Sequence, residues 1–445
     1  MRPLTQDEFR DALRKGMGRA VLHVREHGTA GVEEDILHAC LNSLGYDPQC
    51  EGTRGEWLWE ILGEADMKMT VRPKVLKALL DQPADADTWT VAQLFTLVLL
   101  YAKDGDQEAR RILYEKFDRQ EYNESWLGGT EIISLDGLQG LLHVAKVVGQ
   151  NLIKDPANWE DDCLLTLARD RLGESAVSTA LAEQAEKDEE IRAFVSQMEC
   201  QQAKQEVRTE RPLESLGTVL THIEQAKDMG YWLRRWGRRA TQEDVDAVFS
   251  AMLKETRLPQ LAEYLRVFWS RQMPFLPPSV LDLIGSPDQD AVYAVARALQ
   301  NVKDHGIRIR VLQALHQTPP QLLAARMLAK NYEPGDHQLL EASLPEQGEE
   351  WVFHDFGLSI LRTAEEVHDP LLSKCLVWVY EKGPCSECRR DALLQLIGLR
   401  RAPMDMLNEC LCDCSGEARQ AASAALGLSP ESDDPKSKLG ETGGA

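Results

Sequence analysis

The residues best suited to chemistry fall in a late cysteine cluster and one short basic block. Six of the ten cysteines lie between Cys375 and Cys414: Cys375, Cys385, Cys388, Cys410, Cys412 and Cys414. Cys385-Ser-Glu-Cys388 has the spacing of a zinc knuckle, and Cys412 and Cys414 follow about two dozen residues later. Four thiolates would close a tetrahedral structural site. Against this, Cys375, Cys410 and Cys414 occupy apolar helical positions, where a free thiol acts as a small hydrophobe. The second pair is also separated by one residue rather than two. A redox role for Cys385 and Cys388 has one support, a helix start after Gly383-Pro384 that would lower a thiol pKa. It has no thioredoxin-like βαβ context. The sequence therefore predicts structural cysteines, no metal, no cofactor, and purified protein without stoichiometric zinc.

Other catalytic patterns fall away on inspection. The chain has no Gly-rich phosphate loop ending in Gly-Lys-Ser/Thr, no Gly-x-Gly-x-x-Gly and no Gly-x-Ser-x-Gly elbow. His354-Asp-Phe-Gly357 contains the kinase metal-binding triplet without the partner loops that chemistry requires. His23 and His27 are four apart, with Glu33, Glu34 and His38 nearby, but a zincin needs Glu directly after the first His and here Val24 stands there. Trp57 and Trp59 diverge by about 200° on a helix, so they form no flat stacking platform; one is expected in the core and one partly exposed. No catalytic residue is expected, and the chain is not expected to be an enzyme.

The basic block is Tyr231-Trp-Leu-Arg-Arg-Trp-Gly-Arg-Arg-Ala240, four arginines without an acid in a chain of net charge −22. At about 100° per residue, Trp232, Leu233 and Trp236 cluster on one side of a helix and the arginines occupy the other. Trp and Arg are the types enriched at interface hot spots. Trp232, Arg234, Arg235, Trp236, Arg238 and Arg239 are thus the candidate partner-binding residues. The alternative is that the tryptophans pack the core and the arginines pair with some of the 72 acidic side chains.

These residues need elements to carry them. Hydrophobic content of 43% suits a packed core, and low aromatic content disfavours an all-β fold. The strong negative charge opposes a general nucleic-acid-coating role. The longest apolar stretch near a candidate span, Leu94 to Ala102, is far short of the roughly 20 residues of a membrane helix. The amino terminus has no signal-peptide core, and the cysteine count is not disulfide-dense, so a cytoplasmic setting is expected. Asn123-Glu-Ser125 matches a glycosylation acceptor only by chance on that reading.

Helical periodicity runs nearly end to end. Thr5 and Glu8 form a capping box with Leu4 and Phe9 as its staple. Val245, Val248, Phe249 and Met252 follow Thr241, and Val292, Val295, Ala296 and Leu299 follow Ser286-Pro287, each set on one helical face. Leu372, Cys375, Leu376 and Val379 follow Asp369-Pro370. The two prolines lie 83 residues apart, near twice a helical-pair period of about 40. Gly416-Glu-Ala-Arg-Gln-Ala-Ala-Ser-Ala-Ala-Leu426 resembles the second half of a HEAT repeat, with weaker likenesses at Glu108–Leu113 and Ile309–Leu315. The resemblance spans about residues 280–428. It implies an all-α fold, a curved α-solenoid of stacked antiparallel helix pairs.

The domains expected are an N-terminal helical block over 1–125, a helical middle region with a charged connector over 126–212, HEAT-like repeats over 213–428, and a disordered tail from Ser429 to Ala445. The function expected is a non-enzymatic cytoplasmic scaffold or adaptor that binds a protein partner through its repeat surface. Two alternatives stay open: a HEAT-like nucleic-acid-binding relative of DNA glycosylases, and a regulatory subunit of a neighbouring enzyme.

Overall fold

The computed structural model describes residues 2–119, 125–155, 160–206, 213–226 and 230–428. Among them every regular element is a helix and none is a strand. Asn123 and the segment from Ser429 to Ala445 lie outside the described residues. The chain divides into two units, one of residues 1–210 with Cys412–Cys414, the other of residues 211–411 with 415–445.

In the first unit, local chemistry sets the helix starts. The Thr5 side chain accepts from the Glu8 amide at 3.3 Å while the Thr5 amide donates to Glu8 Oε2 at 2.9 Å, opening the helix Gln6–Lys15. Asp87 caps Thr88–Lys103 by accepting from the Thr90 amide. Val91, Leu94, Phe95, Leu97 and Val98 of that helix are wholly buried. It packs on Gly55–Glu64, Lys68–Asp81, Gln107–Asp118 and Trp126–Lys154, so apolar residues on nearly every side find a neighbour. Its one buried amide, Gln93, donates to the carbonyls of Ala39 and Asn42 at 2.8 and 3.1 Å.

Trp126–Lys154 alone is long and apolar enough to cross a membrane among the described residues, with mean hydropathy 1.2. Half of its most apolar window is buried, and non-helical backbone interrupts it at Leu127, Gly128 and Gly137. The charged run expected as a solvated helix or connector is anchored in part: Ile191, Phe194 and Met198 of Glu189–Glu206 are buried, and the helix packs on Trp126–Lys154. Three large apolar side chains at i, i+3 and i+7 make a stripe that a count of charges hides. Cys412–Cys414 also packs in this unit, where Trp57 Nε1 donates to the Cys412 carbonyl at 2.9 Å and the Cys414 amide to the Gly16 carbonyl at 3.0 Å.

In the second unit, alternate helices touch. Gly230–Arg239 packs on Leu258–Val267, which packs on Gln289–Leu299, then the 3-10 segment Leu322–Met327, Glu350–Val367, Ser386–Gly398 and Gly416–Ala425. Successive members begin 28 to 36 residues apart. The intervening helices include Gln242–Met252, His305–Leu315, Ser373–Lys382 and Met404–Cys410. Thr241 caps the first of these as its spacing predicts, accepting from the Asp244 amide at 3.1 Å. The Ser286-Pro287 start is displaced: Asp288 is the cap, and Ser286 Oγ accepts from the Asp288 amide. Asp is the better acceptor here because its carboxylate reaches the Ala291 amide. Pro287 and Pro370 are not equivalent positions. The first precedes a member of the touching series and the second an intervening helix, so their 83-residue separation is not two periods.

Asn331 ties three turns of this unit. Its amide donates to the carbonyls of Val302 and Met327 at 2.9 and 2.8 Å, and its oxygen accepts from the Asp304 amide at 2.9 Å. Asn331→Leu leaves these buried backbone groups unmatched, and chemical denaturation is expected to show a loss of about 2–4 kcal/mol. A loss under about 0.5 kcal/mol, the range of an ordinary surface substitution, would contradict that role.

Candidate functional site

The basic block forms the helix Gly230–Arg239. Leu233 and Trp236 point into the core at 0% and 1% exposure, and Trp236 Nε1 donates to the Glu214 carbonyl at 2.9 Å. Gly237 is where the helix meets its neighbour: a Cβ there would lie 2.0 Å from the Val267 carbonyl oxygen. The glycine that weakens the helix in isolation is thus what lets it dock. Trp232 is half-buried, its ring 5.0 Å from that of His222. The arginines separate. Arg234 and Arg238 are exposed, while Arg235 and Arg239 are half-buried and attract Glu214. The Glu214 carboxyl is held below its ordinary range first by the Trp232 side chain, with these two arginines contributing.

Arg234 belongs to a longer run that its own segment does not reveal. Its Nε donates to Ser270 Oγ at 3.0 Å, and its charge reaches Arg297 of Gln289–Leu299. The Arg297 guanidinium lies over the rings of Trp269 and Tyr293, 5.1 and 5.9 Å from their centroids. Burial first, and then the charges of Arg326 and Arg234, hold Arg297 below its ordinary pKa. Arg326 donates to Asp355 Oδ1 at 2.6 Å and to Gln300 Oε1 at 3.0 Å. Arg362 shares that Gln300 oxygen and also donates to Asn301. Burial and the Arg326 charge likewise lower the Arg362 pKa. Arg297 Nε is buried without a hydrogen-bond partner. Among the described residues, no carboxylate lies in ion-pair range of Arg234, Arg297 or Arg362. Arg234, Arg297, Arg326 and Arg362, on four members of the touching series, thus have one ion-paired carboxylate among them, Asp355 on Arg326, in a strongly acidic chain. Sequence inspection missed the run because 128 residues separate its ends.

The cysteines do not gather as one group. Cys412 and Cys414 pack in the first unit, where Arg25 Nη1 lies 3.7 Å from Cys412 Sγ. Cys40 and Cys375 are buried among helices, and burial pushes both thiols up to about 12. No disulfide joins any of the ten cysteines. Cys385 and Cys388 sit at the start of Ser386–Gly398, and His354, from Glu350–Val367, joins them with all three donor atoms within 4.8 Å of one another. Asp355 of the kinase-like triplet lies within that second helix, bonded to Arg326.

His23 accepts from the Leu4 amide through Nδ1 at 3.0 Å, and its ring packs 5.5 Å from that of His27. An occupied Nδ1 and the absence of Glu at position 24 give no zincin geometry. Burial, and then the His27 charge, hold the His23 pKa below its ordinary value. The folded state thus favours neutral His23; its contribution is complete above about pH 6.5 and is lost as pH falls through the lower folded-state pKa. Thermal stability is expected to fall on acidification through this window, with a smaller slope in His23→Gln, which keeps an acceptor and does not titrate. Equal slopes in the two proteins would refute the assignment. Trp57 is buried and Trp59 half-buried, with Lys68 Nζ 3.9 Å over the Trp59 ring, as their divergence predicts.

An open cleft in the first unit is lined by Arg110, Arg111, Arg119, His143 and Lys146. Asp136, Glu115, Asp118 and Asp188 pair with these bases at 2.5–2.8 Å, so the cleft is locally balanced. No known family, curated protein or solved structure matches the chain.

Proposed function

We propose that the second unit is a HEAT-like solenoid and that the chain is a non-enzymatic scaffold or adaptor, docking an acidic segment of a partner protein on its arginine run. The touching series of alternate helices supports the repeat reading, since each member completes its neighbour's core. The single observation that carries the docking reading is the set Arg234, Arg297 and Arg362, linked in charge through Arg326 and each without a paired carboxylate among the described residues. The Arg297 guanidinium, resting on Trp269 and Tyr293, is stiff, so little of its side-chain entropy is lost when it forks onto a carboxylate. Of the basic block, Arg234 and Arg238 face the partner and Trp236 supports them from the core. A cytoplasmic location belongs to the same reading.

Guanidinium groups also fit phosphate, which keeps nucleic acid as the second reading. The protein reading is preferred because Asp355 and the aromatic rings break the run, and the net charge of −22 repels an approaching duplex. Fluorescence anisotropy with a labelled Glu-rich peptide and a labelled DNA duplex separates them. The peptide is expected to bind the full-length protein in low salt, and the triple variant Arg234→Gln, Arg297→Gln, Arg362→Gln to bind at least about tenfold more weakly. Preferential duplex binding with the same dependence would replace the protein reading, and peptide binding unchanged in the variant would defeat both.

A further inference from the structure

We propose that Cys385, Cys388 and His354 form a binding site for one zinc ion, with solvent in the fourth position. The two thiols are fixed by the turn that precedes them. Gly383 ends Ser373–Lys382 with its amide donating to the Val379 carbonyl at 2.9 Å, and a Cβ at Gly383 would lie 2.5 Å from that same oxygen. Only glycine fits this turn, and Pro384 then delivers Cys385 as the N-cap of Ser386–Gly398. Cys388 follows at the third helical position, so both sulfurs lie at the positive end of a helix, where thiolates are favoured. The third donor comes from a different element, Glu350–Val367, which packs against that helix.

Zinc bond lengths of about 2.3 Å to sulfur and 2.0–2.1 Å to nitrogen place tetrahedral donors about 3.5–3.8 Å apart. The present donors all lie within 4.8 Å, so small side-chain rotations bring them onto one ion. Cys385 and Cys388 are 3% and 5% exposed whereas His354 is half-exposed, which leaves the open position on the imidazole side. Two soft sulfurs and an imidazole select zinc over magnesium or calcium, which prefer oxygen. The cysteine spacing alone offered two donors at this place, and the fold supplies the third. Binding converts both thiols to thiolates and releases their protons to solvent, so it weakens as pH falls. The assignment rests on these three donors and not on the docking reading, although His354 adjoins Asp355 of the arginine run.

The test is an anaerobic titration of the reduced full-length protein with Co2+, followed by absorbance and then by addition of Zn2+. One equivalent of Co2+ is expected to give a thiolate-to-cobalt band that Zn2+ abolishes. Cys385→Ser, Cys388→Ser and His354→Ala should each lose the band while far-UV circular dichroism stays helical. His354→Cys should restore it with greater intensity, and Cys163→Ser, at an exposed cysteine of the first unit, should leave it unchanged. His354→Cys also serves where a cysteine variant fails to fold. No band in the reduced, folded wild type would overturn the site. So would Co2+ stoichiometry undiminished from wild type in His354→Ala or in the Cys385→Ser, Cys388→Ser double variant.

Discussion

Trp236→Ala is expected to cost about 3–5 kcal/mol of unfolding free energy, read from urea denaturation followed by circular dichroism. The side chain is 1% exposed, so truncation removes a large apolar surface and leaves a cavity. It also takes the indole donor from the Glu214 carbonyl, which Trp236 Nε1 meets at 2.9 Å. Collapse of the cavity is resisted because Gly237 already sits against the Val267 backbone. Trp236→Phe keeps most of the volume and loses the hydrogen bond, so its cost is expected to be smaller, about 1–2 kcal/mol. Loss of docking in Trp236→Ala would therefore follow from loss of the fold, which is why the docking test uses arginines instead. A cost under about 1 kcal/mol would mean that this tryptophan is not the anchor of its helix.

Asp355→Ala is expected to cost about 3–5 kcal/mol because it strands charge rather than because it loses attraction. Asp355 and Arg326 are both largely buried, and the 2.6 Å contact supplies the one carboxylate bonded within the arginine run. Without it, Arg326 and Arg297 face each other's charge with no counter-ion between them. The control is to remove both partners: Asp355→Leu with Arg326→Met should cost much less than Asp355→Ala, since the buried charge leaves with its partner. Denaturation of the single and double variants measures this directly. A double variant as destabilised as the single one would show that packing, not stranded charge, sets the cost. High salt should reduce the single-variant penalty only weakly, because the site is mostly shielded from solvent.

The all-helical fold was legible because its signals are local. The capping box at Thr5 and Glu8, the cap at Thr241 and the i, i+3, i+4, i+7 face of Val245 to Met252 are complete within one or two turns. Which helices meet was not. Pro287 and Pro370 open similar stretches on different members of the series, and proline records only a helix start, not which neighbour the helix meets. The site shows the same division. The periodicity of Trp232 to Arg239 separates Leu233 and Trp236 from Arg234 and Arg238 correctly, since helical angle decides it. It gives no sign of Arg297, Arg326 or Arg362, which reach Arg234 only through packing of successive elements. His354 escaped notice for the same reason: its motif neighbours suggested a kinase triplet, while its partners lie about 30 residues on in the chain. Arg297, Arg326 and Arg362 recur at the touching series' own interval, with Arg234 about two intervals earlier, a signal visible only once that interval is known.

Hydrogen exchange of the full-length protein, with and without a Glu-rich peptide, tests the docking face most directly because it reports where binding occurs. The account predicts slowed exchange in Gly230–Arg239, Gln289–Leu299, Leu322–Met327 and Glu350–Val367, abolished in the Arg234, Arg297, Arg362 triple variant. Saturated binding with protection confined to residues 2–206, or with no protection in those four segments, would contradict it.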